Sequence, residues 1–136
     1  MTDPPSLIAA VEAASGPDRE IDAMVFALFP APGTTVLGPA GKGWLVVQRE
    51  QNAVGAGAVR APEFTASIDA VVALIRREMP GAEEGYGRVG EEFQAYVPAA
   101  YPEGGGGIVH TATKPTPPLA LLLAFLRAKA QQDETP

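Results

Sequence analysis

The sequence contains no cysteine. That absence excludes disulfides, thiolate metal sites and a cysteine nucleophile, and it fits a reducing, cytoplasmic setting. Histidine is almost as scarce, with His110 alone. Metal centres usually recruit more than one histidine or a cysteine partner, so no metal site is expected. A lone histidine without a G-x-S-x-G elbow also argues against a serine hydrolase. Cations are few: ten Lys and Arg stand against sixteen Asp and Glu, a net charge of -6, and Arg76-Arg77 is the only adjacent basic pair. A DNA-binding surface needs clustered cations to neutralise phosphates, so DNA is not an expected partner. Long apolar runs are missing too. The longest, Pro115 to Leu126, is too short to span a bilayer, and Met1 to Ser6 lacks the basic and apolar regions of a signal peptide. No membrane association is expected.

What is present suffices for one folded domain. Hydrophobic residues make up 46% and charged residues only 19%, which argues against a disordered chain. Fifteen glycines and fourteen prolines punctuate it. Residues 5–14 read as a helix with Leu7, Ile8, Val11 and Ala14 on one face. Pro17 opens a second helix, in which Ile21, Met24, Val25 and Leu28 recur at i, i+3, i+4 and i+7. Thr34 to Leu37 and Trp44 to Gln48 read as strands joined through the Gly-rich segment 38–43, with Trp44 expected in the core. Residues 51–62 read as a loop with a short strand at Ala58 to Arg60. Ser67 is placed to cap a third helix whose buried face is Ile68, Val71, Val72, Ile75 and Met79, and capping likewise accounts for Ser6 and Ser15. In the segment 85–98, Phe93, Ala95 and Val97 alternate with Gln94 and Tyr96, the period of a strand. Ile108 to Thr113 reads as a further strand. Thr116 and Pro117 then start a final helix with a stripe of Leu119, Leu122, Leu123 and Leu126, widened by Leu121 and Phe125; residues 131–136 are expected to fray. The order α-α-β-β-(β)-α-β-β-β-α predicts an α+β domain, residues 1–136, with a mainly antiparallel sheet and helices packed on it.

The chemistry-bearing motifs are weak ones. Gly85-Tyr86-Gly87-Arg88-Val89-Gly90 matches G-x-G-x-x-G, but a strand pattern follows where a dinucleotide fingerprint needs a helix, so a Gly-rich hairpin is the better reading. Gly104 to Gly107 lacks the G-K-[ST] of a P-loop. Glu83, Glu84, Glu91 and Glu92 read as a solvated acidic edge. The most suggestive polar segment runs from His110 through Thr111, Thr113 and Lys114 to Thr116 at the start of the last helix. Free amides, the helix dipole, a lysine and hydroxyls there would together hold a phosphate. Arg88 and Arg60 would offset further ligand charge, and Tyr96 or Tyr101 would stack on a base. The competing reading makes Thr116 only a cap and the tyrosines ordinary packing.

Three stretches in order, Gly16-Pro17-Asp18-Arg19-Glu20-Ile21-Asp22-Ala23, Phe64-Thr65-Ala66-Ser67-Ile68-Asp69-Ala70, and Ala112 to Ala128 with Thr116-Pro117-Pro118-Leu119-Ala120-Leu121, make the chain resemble the phage ABA-sandwich domain family. The family position at Phe64 is commonly Tyr. The resemblance extends to phage anti-Thoeris sponge proteins, and implies an ABA-type sandwich, multimers and a place in an infected bacterial cell. It further implies a protein that sequesters a nucleotide immune signal, a cyclic ADP-ribose derivative or cyclic dinucleotide, without cleaving it. No catalytic residue and no cofactor are expected on that reading. The alternative expectation is a phage structural or protein-interaction module with no small-molecule ligand.

Overall fold

The structure, a computed structural model, describes residues 3–49, 57–98 and 109–134. Tyr101, the glycine run 104–107 and Ile108 lie outside the described residues. The elements follow the expected order: α1 (Pro4–Ala13), α2 (Arg19–Leu28), β1 (Thr34–Gly41), β2 (Trp44–Arg49), β3 (Gly57–Arg60), α3 (Ile68–Glu78), β4 (Gly85–Val89), β5 (Glu92–Pro98), β6 (Val109–Lys114) and α4 (Pro117–Glu134). The α+β class and the antiparallel pairing hold. The strands divide between two three-stranded antiparallel sheets, β1-β2-β3 and β4-β5-β6, where one sheet was the simplest expectation.

Helix starts are set by side-chain oxygens that accept first-turn amides. Ser67 does this for α3, through a bond from the Ala70 amide at 3.2 Å. Aspartates take the role elsewhere: Asp3 accepts from Ser6 N in α1, and Asp18 from Glu20 N and Ile21 N in α2. Ser6 is therefore the capped residue rather than the cap, and Pro17 precedes the α2 cap instead of opening the helix.

The first sheet departs from expectation in two places. β1 continues through Gly41, with register shifts between Val36 and Gly38 and between Pro39 and Gly41, so its glycines serve bulges rather than a long loop. The turn shrinks to Lys42-Gly43. Trp44 is not core but 44% exposed. Strand parity explains it: Leu45 and Val47 take the inner face, which turns Trp44 outward beside its register partner Arg60. In the second sheet Gly90, at φ +64°, makes the turn between Val89 and Glu92, so the G-x-G-x-x-G segment is a hairpin.

The centre of the molecule is α4. Residues 119–126 are all within 3% of complete burial, on every side of the helix rather than along a stripe. α4 packs on β5 and β6 and also on α1 and α3. A helix surrounded on all sides must be apolar all round. Phe125 meets Phe29 edge to face, with centroids 5.3 Å apart. α3 adds Leu74, which the expected face omitted, to Val71, Ile75 and Met79. Among the described residues no helix is long and apolar enough to cross a membrane.

Candidate functional site

The phosphate seat expected where β6 meets α4 is not assembled. Its donors were to be free amides of the first helical turn. Pro117 and Pro118 occupy the first two positions and carry no N–H. The third amide, Leu119 N, points to Thr116 Oγ1 at 3.5 Å, and Ala120 N is bonded to the Thr116 carbonyl. Thr116 therefore acts as a cap, and the helix end has no amide to spare for an anion. Lys114 is not free either. It is 8% exposed, faces inward, and its Nζ donates to the Glu12 carbonyl at 2.7 Å, in the last turn of α1. There the cation meets the negative end of a helix dipole, which accounts for its burial.

The other expected site residues are dispersed. His110 shares the inner face of the second sheet with Ala112 and Lys114, opposite Val97. Its Nε2 is buried and has no hydrogen-bond partner among the described residues. Thr111 and Thr113 point outward, level with Tyr96 and Gln94 respectively, so Tyr96, Thr111 and Thr113 do share a face. Arg88 sits on the exposed edge strand β4, its Nε donating to the Gly90 carbonyl at 3.0 Å. Arg60 belongs to the other sheet and stands 3.7 Å from Glu63. Two of the nine expected residues thus point inward and three outward, with the two arginines on separate sheets. Among the described members of this set, the cations and the outward hydroxyls are not brought together.

A different polar cluster is built, and it uses two of the three stretches that carry the family resemblance. Asp22 is 1% exposed on α2. Its Oδ1 accepts from Thr65 N and from Thr65 Oγ1, both at 2.8 Å. Its Oδ2 accepts from Arg19 Nη1 at 2.7 Å. The Thr65 hydroxyl also accepts from Asp18 N at 2.8 Å. Arg19 Nη2 donates to the carbonyls of Ala61, at 2.6 Å, and Gly43, at 3.3 Å. A Cβ on Gly43 would stand 2.6 Å from Arg19 Nε, and Gly43 has φ +78°, so both the turn and the arginine require glycine here. Burial pushes the Asp22 carboxyl above the usual carboxylate range, while the Thr65 bonds and the Arg19 charge pull it down.

This cluster ties α2 to the β1–β2 turn, the end of β3 and the 64–67 turn. Both Asp22 carboxylate oxygens, the Thr65 hydroxyl and both terminal Arg19 nitrogens are hydrogen-bonded within the chain, so the cluster fastens the fold. In the sequence its signals are Arg19 and Asp22 at i, i+3 and a polar Thr65 beside an apolar Phe64, none of which was among the expected site residues.

No protein-family model, curated protein or solved structure matches this chain. Assignment of function therefore rests on the molecule's own surface. Among the described residues, six large apolar side chains remain exposed: Leu37, Trp44, Tyr86, Val89, Tyr96 and Val109. All six lie on strands, two in the first sheet and four in the second. Among the described residues no group of three or more His, Cys, Asp and Glu is placed to hold a metal ion.

Proposed function

We propose that the protein works by binding another macromolecule through the exposed faces and edges of its two sheets, as an interaction module. One observation carries the reading: among the described residues the exposed large apolar groups are confined to strands, whereas the helices turn theirs inward. Large aromatic and aliphatic groups left half-exposed supply contact area without reorganising the core. The phage resemblance, taken with this reading, makes it a phage-encoded interaction module. Against the nucleotide-sequestering expectation stand the proline-blocked helix end and the inward Lys114. The outward trio Tyr96, Thr111 and Thr113 offers stacking and hydroxyls but no cation for a phosphate.

Two measurements test the reading. A ligand that binds the folded state raises its melting temperature by mass action. Cyclic dinucleotides and cyclic ADP-ribose derivatives should leave the melting temperature unchanged, and a saturable rise would restore the sequestering function. A photo-crosslinking residue at Leu37 or Trp44 should yield protein adducts in the native cell that the same probe at exposed Ala73 on α3 does not. Equal labelling at the three positions would overturn the module.

A further inference from the structure

The four sheet edges are not equally protected. β1 carries Pro39 and two bulges, devices that prevent another strand from adding on. β3 is only four residues long. On β6 the Thr111 carbonyl is taken by Arg127 Nη1 at 2.9 Å. β4 has none of these defences: its five residues run in unbroken register with β5, without proline or bulge, and among the described residues nothing pairs with its other side. Exposed Tyr86 and Val89 stand on this open edge.

The geometry points to a second copy of this chain as the occupant, with β4 pairing antiparallel to β4 of its twin across a two-fold axis through Gly87. This proposal rests on the interaction-module reading and deepens it by naming one partner. Such an axis, perpendicular to the sheet, sets residues of one face beside residues of the same face: Tyr86 and Arg88, in register with Ala95 and Phe93, on the helix side, and Gly85, Gly87 and Val89 on the other. It places Gly87 against Gly87, Val89 against Gly85, and Tyr86 against Arg88, the last pair occurring twice. Tyr86 and Arg88 are both exposed and share a face, so each arginine of the pair meets an aromatic ring. Val89 gains a matching surface as well. Tyr96 lies across Gly85 so closely that a Cβ there would collide with its ring. Val89 of one copy would sit beside that ring of the other. Three of the six exposed apolar groups, Tyr86, Val89 and Tyr96, are covered in one step. Sliding the axis by one residue to Arg88 would instead oppose the two arginines, which disfavours that register.

Five residues per strand make a small interface, so the dimer should be reversible rather than obligate. Sedimentation of the full chain over a concentration series should show a monomer–dimer equilibrium. Tyr86→Lys sets like charges against each other at both symmetric pairs and should weaken the dimer by roughly tenfold or more. Adding Arg88→Glu to Tyr86→Lys converts both pairs to opposite charges and should restore dimerisation, which a folding defect would not allow. A chain that stays monomeric at millimolar concentration, or a dimer that ignores Tyr86→Lys, overturns the β4 pairing. Adducts at Trp44 with a monomeric chain would remove only this proposal, whereas their absence beside an intact dimer would remove the wider module.

Discussion

Replacement of Asp22 by alanine is the sharpest test of what holds α2 in place. The carboxylate accepts two bonds from Thr65, a residue with no exposure, and neutralises Arg19, whose side chain is 21% exposed. Leaving one buried amide without an acceptor costs about 1–3 kcal/mol. Breaking a buried ion pair from one side costs about 3–5 kcal/mol. Arg19 keeps two other acceptors, the Ala61 and Gly43 carbonyls, and some solvent, which places the total near the lower end, about 3 kcal/mol. Asp22→Asn retains an oxygen for Thr65 and should recover about 1 kcal/mol of that loss. Urea unfolding measures both: the midpoint should fall with an unchanged slope, because the surface exposed on unfolding is the same. A double-mutant cycle with Arg19→Ala should return a coupling of about 1 kcal/mol or more. An Asp22→Ala midpoint within about 1 kcal/mol of the parent would refute the argument, since surface substitutions lie in that range.

The two shifted carboxyls should respond to pH with opposite signs. Burial raises Asp22, so the folded state takes up its proton first, and the Asp22 contribution is full below the unfolded value and lost as pH rises through the folded one. The stability advantage of the parent over Asp22→Asn should therefore shrink as pH climbs from below the ordinary aspartate value, about 3.9, through the raised folded one. The Ser6 side-chain and amide bonds lower Asp3, so its contribution is present above the unfolded value and fades as pH falls through the folded one; the advantage over Asp3→Asn should grow as pH rises from below the folded value to the ordinary aspartate one. Lys114→Met keeps the buried stem but removes the bond to the Glu12 carbonyl, and calorimetry should show a loss of about 1–3 kcal/mol. Leu122→Ala, at a site with no exposure, should cost about 2–5 kcal/mol in urea unfolding, whereas Leu37→Ser, 54% exposed, should stay within about 0.5 kcal/mol.

Much of the fold could be read from periodicity, because burial and helical or strand spacing say the same thing in α2, α3 and β5. Failures arose where a residue type had two uses. Trp44 is large and apolar, yet strand parity overrode its hydrophobicity once Leu45 and Val47 took the core. The glycines of 38–41 read as a turn and serve as bulges. The candidate site was less legible. A helix start reads as an anion seat, yet Pro117 and Pro118 lack the amides that would make this one. The expected strand stops at Thr113, one residue short of Lys114, and the inward facing of that lysine depends on where α1 ends, a contact across 102 positions that no local pattern encodes. The Asp22 cluster is non-local in the same way, since Thr65 lies 43 positions from its acceptor. Asp18, Asp22 and Thr65 fall in two of the stretches that carry the resemblance, and there they bond to one another.

The enclosure of α4 has a consequence for synthesis. Everything up to Lys114 can leave the ribosome and form hairpins and helices, but it would surround an empty middle until residues 117–126 arrive. Local pieces are thus able to form early, while cooperative closure waits on this late segment and on contacts distant in sequence, a route that slows folding. During that wait two half-built walls and then a bare leucine-rich rod are open to the cell, and the nascent chain is at its most vulnerable to chaperones, proteases and its own neighbours.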